Sequence, residues 1–351
     1  MNKRRLIKAV NRLLHLPKGK YFIYYIFNKL RQFYLKSIKS SKVAYPSTVM
    51  IELSNQCNLA CTTCPREYDF GKQMDKGLMP KEKAKKIIDE LWPYLDSIGL
   101  TGMGETFIYK DIEEIVDYIK HKNKGIIISV STNAMLPNFI ELVSKVVNKI
   151  DTIQVSIDGI GEIYELIRKK ASFEVLDRNL KTLVSLCKNT KTTLMLNMVV
   201  TKENYHQMPD LVKYTDNMGI SYLDFSQLNL AAVTNTPISY YAFYKSDEFL
   251  KTLDLLHDVA MLYKNVTVTY NFKNQNSFRS CPFPWSHFYV SWNGFMPPCC
   301  AKPFPKELNF GNAFTDNVKN VLNSKKYIQH RNLWYKNVTP KFCEKCHFTS
   351  L

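Results

Sequence analysis

The first 46 residues of this 351-residue chain contain no aspartate or glutamate. No apolar run approaches the ~20 residues that span a bilayer, and no small-residue cleavage site follows the basic N-terminus. Glycine is scarce, with 12 residues, and no internal repeat or low-complexity segment is visible. These absences argue against a membrane-spanning, secreted or collagen-like protein, and we expect a cytoplasmic one.

Positive charge is concentrated where acidic residues are missing. Residues 1–46 hold twelve Lys and Arg and supply +12 of the formal net charge of +17. Because the basic excess is local, it does not mark the whole protein as a nucleic-acid binder. Apolar residues at helical spacing over 6–14, and an aromatic stretch over 21–27, predict one or two basic amphipathic helices. They either pack on the body with their cations in water, or contact an anionic membrane or an acidic partner.

Strands and helices alternate strictly between residues 48 and 227. The predicted strands cover residues 49–54, 97–102, 126–132, 152–158, 192–200 and 221–227. Helices of ten or more residues separate them, which predicts parallel strands with right-handed crossovers. Six such units are too few for an eightfold barrel, so we expect an α/β fold that is either a partial barrel or a doubly wound sheet.

The remaining chain suggests three further regions around this α/β core. We place the basic extension at 1–46 and the α/β domain at 47–245. A bridging region at 246–280 has a predicted helix (246–264) and strand (265–272). A small cysteine-rich domain at 281–351 completes the chain.

Nine cysteines are present, and eight of them fall in two groups. Cys57, Cys61 and Cys64 form a CxxxCxxC motif after the first predicted strand, where α/β folds bind ligands. Three thiolates bind three irons of a 4Fe–4S cluster and leave the fourth iron open for a substrate or cofactor. A structural zinc site would instead need a fourth ligand from elsewhere in the chain.

The second cysteine group is C-terminal. Cys281, Cys299, Cys343 and Cys346 are enough for one fully ligated 4Fe–4S cluster, although four thiolates with a CxxC pair also suit a zinc ribbon. Cys187 lies late in a predicted helix and is assigned to the core.

The segment ELSNQCNLACTTCPR resembles the radical S-adenosylmethionine (SAM) enzymes, and the resemblance extends over about residues 48–230. It implies a partial (β/α)6 barrel, with a 4Fe–4S cluster on Cys57, Cys61 and Cys64 and SAM on the open iron. Reductive cleavage of SAM in that family gives a 5′-deoxyadenosyl radical, which abstracts a substrate hydrogen atom.

The same resemblance implies a set of SAM-binding residues at the strand ends. Residues 102–105 are similar to the family's GGE motif, and residues 156–159 to its SxDG motif. Ser156 and Asp158 either contact SAM or substrate or cap a helix or turn. The implied SAM contacts are Gly102, Met103, Gly104, Glu105, Ser131, Asn133, Ser156, Asp158, Arg168 and Asn197.

The spacing of Cys281, Gly294 and Cys299 resembles the SPASM/Twitch domains of radical SAM enzymes, and in particular the family's aminocyclitol alcohol dehydrogenases. The resemblance implies an auxiliary 4Fe–4S cluster on the C-terminal cysteines, and their number favours the shorter Twitch-like form. Cys300 is then left over as an alternative ligand, an inert thiol, or a hydrogen-atom donor as in the family's epimerases.

Together these features predict a radical SAM oxidoreductase or epimerase. Only about 46 residues precede the barrel, without a β-rich pattern, so we favour a sugar-like or aminocyclitol-like substrate over a ribosomally made peptide. A non-catalytic iron–sulfur or zinc adaptor is the alternative of another class. We expect a flavodoxin or ferredoxin as electron donor and no nucleic-acid partner, because no RNA-binding module is apparent.

Overall fold

The protein is described by a computed structural model over residues 14–233, 235–270, 272 and 281–347. Its α-helices are α1 (Lys20–Ser37), α2 (Asp69–Lys72), α3 (Lys81–Leu91), α4 (Ile112–Lys122), α5 (Phe139–Ser144), α6 (Glu162–Ile167), α7 (Phe173–Cys187), α8 (Met208–Asn217), α9 (Asp247–Leu262), α10 (Phe283–Ser286), α11 (Val318–Leu322) and α12 (Lys325–Tyr335). Its strands are β1 (Thr48–Ile51), β2 (Ser97–Gly99), β3 (Ile127–Thr132), β4 (Thr152–Ser156), β5 (Thr193–Val200), β6 (Tyr222–Gln227), β7 (Thr267–Tyr270) and β8 (Phe288–Val290). The helical pattern predicted over 6–14 lies almost wholly outside the described residues.

The chain forms two compact units, each assembled from separate stretches of sequence. The described residues of the first unit lie within Met1–Gln56, Met74–Val130 and Cys281–Phe342. Those of the second lie within Cys57–Gln73, Ser131–Ser280 and Cys343–Leu351.

In the first unit, β1 lies between two parallel partners. Val49 is in register with Ile98 of β2 on one side and with Phe288 of β8 on the other, and β2 in turn pairs with the start of β3. The strand β8, which the sequence pattern did not predict, therefore comes from the cysteine-rich segment and extends a parallel sheet begun more than 200 residues earlier.

In the second unit, β4, β5, β6 and β7 pair in that order, and all are parallel. All six strands predicted between 48 and 227 are present. The predicted strand at 265–272 adds β7 to the edge of this set, beside β6. The parallel α/β class expected from the sequence is confirmed.

Amphipathic helices cover these strands because their apolar residues recur at helical spacing. In α3 the buried residues are Ala84, Ile87, Ile88 and Leu91. The helix α7 begins where the Ser172 hydroxyl accepts a hydrogen bond from the Val175 N–H, and Leu176, Leu180 and Leu183 form its buried face. Along β4, buried Ile153 and Val155 alternate with half-buried residues, so one face of the strand packs into the core.

Within the described residues, no helix combines the length and apolar character that crossing a bilayer requires.

Candidate active site

The CxxxCxxC loop is anchored by backbone hydrogen bonds to the end of α6. The Ala60 N–H donates to the Lys169 carbonyl at 3.2 Å, and the Thr62 N–H donates to the Ile167 carbonyl at 2.8 Å. The loop also turns on itself, since the Cys64 N–H donates to the Cys61 carbonyl at 3.1 Å. Its three cysteines are free thiols of intermediate exposure. The hydrogen bonds above fix the backbone that carries them.

Cys57 is held by two N–H donors. The Leu59 backbone N–H and the Asn133 side-chain amide each lie 3.5 Å from its sulfur. The Asn133 amide also donates to Asn58 Oδ1 at 2.9 Å, and the Asn58 amide donates to the Met135 carbonyl at 3.2 Å. Asn133, expected from the sequence to contact SAM, therefore contacts the cluster loop directly, and N–H donors near a ligating sulfur tune an iron–sulfur cluster.

The other two thiols of the loop have raised pKa values. Burial raises the pKa of Cys61 to about 12 although the nearby Arg168 charge lowers it, and burial likewise raises the pKa of Cys64. Such thiols stay protonated until a metal displaces the proton, so ligation releases protons here.

Among the described residues, no three His, Cys, Asp or Glu side chains are grouped to hold a single metal ion. A cubane cluster asks for a different arrangement, because each thiolate binds its own iron atom. Three soft thiols on one anchored loop supply the ligand type and number that three irons of such a cluster need.

The glycine-rich loop after β2 is fastened to the chain that precedes Cys57. The Glu105 N–H donates to the Gln56 carbonyl at 2.8 Å, and the Met103 N–H donates to Glu52 Oε1 at 2.8 Å. A Cβ on Gly104 would lie 2.4 Å from the Gln56 carbonyl oxygen, so only glycine fits this close approach. Glu105 is buried, and its carboxylate accepts from the Phe107 N–H at 3.1 Å. This close backbone packing fixes the position of the loop that we expect from the sequence to contact SAM.

Asp158 and Arg168 form a buried ion pair in the second unit. Arg168 Nε lies 2.9 Å from Asp158 Oδ2, without the alignment of a hydrogen bond. The other Asp158 oxygen accepts from the Val199 N–H at 2.8 Å. Asp158 therefore has protein partners on both oxygens and orients an arginine immediately beyond α6, beside the segment that anchors the cluster loop.

A polar row crosses four adjacent strands of the second unit. Ser156, Asn197, Asp224 and Thr269 are in register from β4 to β7. The Asn197 amide donates to Asp224 Oδ2 at 3.0 Å, and the Thr269 hydroxyl donates to Asp224 Oδ1 at 2.5 Å. Asp224 and Thr269 were not predicted as site residues, because alternation within one strand does not show which residues of the next strand lie in register with it. Ser131, at the end of β3, also makes contacts within the structure.

The C-terminal cysteines are divided between the units. In the first unit, Cys299 is partly exposed, and desolvation raises the pKa of its thiol although the backbone N–H groups of Lys302 and Ala301 lower it. Burial raises the pKa of Cys281 to about 11 and that of Cys300 to about 12. In the second unit, Cys343 and Cys346 form a turn, because the Cys346 N–H donates to the Cys343 carbonyl at 3.3 Å. Backbone N–H groups that lower the pKa of Cys299 favour its thiolate, which is the form that binds iron.

Glu52, in the first unit, is a buried carboxylate that the sequence analysis did not single out. Glu52 is fully buried at the end of β1, where Oε1 accepts from Met103 and Oε2 accepts from the Trp292 N–H at 3.1 Å. Burial, and then the Glu52 charge, raise the pKa of neighbouring Tyr289. One carboxylate thus ties the glycine-rich loop to the C-terminal cysteine-rich segment.

Two family models match the chain. Residues 51–215 match the radical SAM superfamily, and residues 281–347 match SPASM, an iron–sulfur cluster-binding domain. These matches confirm the resemblance inferred from the motifs, the partial-barrel fold class and the cofactors, which are 4Fe–4S clusters and SAM. The individual contacts predicted for SAM, and the domain boundaries, stay predictions.

Similar proteins cover most of the chain. The antilisterial bacteriocin subtilosin biosynthesis protein AlbA of Bacillus subtilis is 23% identical over 88% of this chain, which spans 65% of AlbA's own length. The cofactor-modifying protein for tungsten-containing aldehyde ferredoxin oxidoreductase of Pyrococcus furiosus is 23% identical, over 84% of this chain and 86% of its own. Streptococcus suis SuiB, solved with its precursor peptide SuiA, has the same fold, with a TM-score of 0.68 at 17% identity over 91% of this chain and 73% of SuiB.

Proposed function

Since the chain is a radical SAM enzyme with a C-terminal SPASM domain, we propose that it modifies a ribosomally made peptide by abstracting a hydrogen atom from it. This replaces the sugar-like or aminocyclitol-like substrate favoured from the sequence. AlbA takes part in bacteriocin biosynthesis and SuiB binds a precursor peptide, and both similarities extend over more than four-fifths of this chain. These two proteins support a peptide substrate better than a small molecule.

The observation that carries the proposal of radical chemistry is the anchored loop with three cysteines. Pure electron carriers fill all four iron positions of a cubane with protein ligands, whereas this loop supplies Cys57, Cys61 and Cys64 alone. When bound, the cluster and SAM supply a reducing electron and a 5′-deoxyadenosyl radical. The chain's own task is to hold the reactants and to exclude water.

Each of the described contacts has a place in that task. The Asn133 amide orients Cys57 and stabilises negative charge on its sulfur. The Gly104 backbone presents the loop that we assign to the SAM ammonium, and Arg168, oriented by Asp158, supplies a cation for a carboxylate. The polar row centred on Asp224 supplies hydrogen-bonding groups for a substrate backbone.

We further propose a flavodoxin or ferredoxin as electron donor and an auxiliary 4Fe–4S cluster on Cys281, Cys299, Cys343 and Cys346. Cys300 is retained as a candidate hydrogen-atom donor.

The test is anaerobic reconstitution of the full chain with iron, sulfide, SAM and dithionite, followed by chromatography of the nucleoside products. The wild type should release 5′-deoxyadenosine, and the Cys57→Ala/Cys61→Ala/Cys64→Ala variant should release none. Cys187→Ala is the matched control and should leave the product unchanged. Cys187 lies at the end of α7 and is partly exposed there, although the sequence placed it in the core. Persistence of 5′-deoxyadenosine in the triple variant would overturn the mechanism.

The substrate class is tested separately in the active preparation. The mass of a precursor peptide encoded beside the gene should change only when SAM is present. When the attacked carbon of that peptide carries deuterium, the deuterium should appear in 5′-deoxyadenosine. Transfer of deuterium from a small sugar, with no change in any peptide, would restore the small-molecule substrate.

A further inference from the structure

The helix α1 attaches to the rest of the first unit through its polar side. The Tyr25 hydroxyl donates to Asp96 Oδ1 at 2.7 Å, and Lys29 Nζ lies 2.5 Å from Asp96 Oδ2. The Asn28 amide donates to the Tyr45 carbonyl at 3.0 Å, and Gln32 donates to the same carbonyl at 2.6 Å. A surface helix ordinarily packs its apolar stripe inward, so the orientation of α1 is inverted.

The opposite side of α1 is apolar and exposed. We call it the outer arc of α1, and its members are Phe22, Ile23, Ile26, Phe27, Leu30, Phe33 and Tyr34. At 3.6 residues per turn these side chains fill an arc of roughly 140° on one side of the helix. Phe27 is 67% exposed and Phe33 is 75% exposed, so the largest rings protrude furthest. Such a contiguous apolar surface marks an interaction site.

Cations border the outer arc on both sides. Lys20 and Arg31 follow one edge of the arc and Lys36 follows the other, and all three are exposed. The helix has no acidic residue, and neither does any other part of residues 1–46. The only polar atom among the seven side chains is the Tyr34 hydroxyl, so the arc offers almost nothing to pair with the carboxylates of an acidic protein.

We propose that α1 binds the surface of an anionic membrane, with the outer arc inserted among the acyl chains and the flanking cations at the lipid headgroups. Aromatic and aliphatic side chains on one face, with Lys and Arg at the edges, are the arrangement of a helix that lies in a bilayer interface. A surplus of local positive charge without acidic residues adds attraction to anionic lipid. This inference does not depend on the proposed peptide substrate.

The experiment is flotation of the full chain with vesicles of phosphatidylcholine alone or mixed with phosphatidylserine. The wild type should float with phosphatidylserine vesicles and dissociate as salt rises, because surface attraction is screened. Phe27→Glu/Phe33→Glu should weaken this partitioning at least about tenfold, because each change puts a charge where an apolar ring would insert. Leu255→Glu/Leu262→Glu is the matched control, since it adds the same two negative charges at exposed apolar positions of α9 and should partition like the wild type.

Circular dichroism and the release of 5′-deoxyadenosine in solution report whether the variants fold. Arg31→Glu provides a second variant that leaves every ring in place, and it should weaken binding at low salt more than at high salt. Equal flotation with neutral and anionic vesicles, or equal loss in the α9 control, would overturn the proposal. A dimer in light scattering that Phe27→Glu/Phe33→Glu converts to monomer would overturn it in favour of self-association.

Discussion

Glu52 offers a direct test of how the first unit is held together. Its two carboxylate oxygens accept the N–H groups of Met103 and Trp292, and the residue is fully buried. In Glu52→Gln, the amide oxygen can keep one of these bonds, whereas the amide NH₂ faces an N–H donor with no acceptor between them. The substitution is nearly isosteric, so packing stays constant and the hydrogen bonding changes.

The magnitude follows from the bonds that are lost. A hydrogen bond to a charged group contributes about 1.5–3 kcal/mol, and a buried donor left without an acceptor costs about 1–3 kcal/mol. Because these two contributions overlap, we expect Glu52→Gln to lower the free energy of unfolding by about 2–4 kcal/mol.

Glu90→Gln is the matched control in the same unit. Glu90 also accepts two backbone N–H groups, from Val318 at 2.9 Å and Lys319 at 3.3 Å, but it is only half-buried. Water can replace the lost acceptor there, so we expect a loss of about 1 kcal/mol or less.

Tryptophan fluorescence during urea denaturation measures both variants. The four tryptophans, Trp92, Trp285, Trp292 and Trp334, all belong to the first unit, so the signal reports on the unit that contains both carboxylates. A loss in Glu52→Gln no larger than that in Glu90→Gln would refute the reasoning, because it would show that burial does not set the cost of the missing acceptor.

Two further variants test the glycine-rich loop and a buried histidine. Gly104→Ala should lower the free energy of unfolding by about 1–3 kcal/mol, because its Cβ would press on the Gln56 carbonyl. Gly99→Ala, whose Cβ meets its neighbours at 3.6 Å or more, should change it little, and equal effects in the same urea experiment would contradict the contact. Burial, reinforced by Arg331, lowers the pKa of His330 to about 4 in the folded protein, so its contribution to stability is complete above the unfolded pKa of about 6.5 and is lost as pH falls below it. From pH 7 to pH 5 we expect His330 to cost about 2 kcal/mol in the wild type and nothing in His330→Gln, and parallel pH profiles of the two proteins would contradict this assignment.

Much of the fold could be predicted because it is written in local patterns. Alternating strands and amphipathic helices such as α3 specify parallel strands, since each helix must bury its apolar side against the strands it connects. The strand β8 was not predictable in this way. Its three residues carry little pattern, and its pairing with β1 depends on a contact between distant parts of the chain.

The candidate site was predictable in its chemistry and only partly in its geometry. The CxxxCxxC spacing specified an iron–sulfur loop, but it did not show that Asn133 contacts Cys57 or that Asp158 engages Arg168. The role of Glu52 was equally hidden, because a single glutamate after a strand gives no sign that it will be buried between two backbone donors.

The same distinction between chemistry and geometry applies to α1. The amphipathic spacing predicted the helix, and the sequence allowed either packing on the body or contact with a membrane. Only the tertiary structure showed that the polar residues Tyr25, Asn28 and Lys29 attach it, with the aromatic side outward.

By itself, the sequence predicted the cofactor chemistry, through the family resemblance of its motifs, and the parallel α/β class, through hydrophobic periodicity. Both are properties of neighbouring residues. The tertiary structure decided which polar groups are buried together and which apolar side chains are left exposed. Those outcomes depend on contacts between residues far apart in the chain, and no local pattern specifies them.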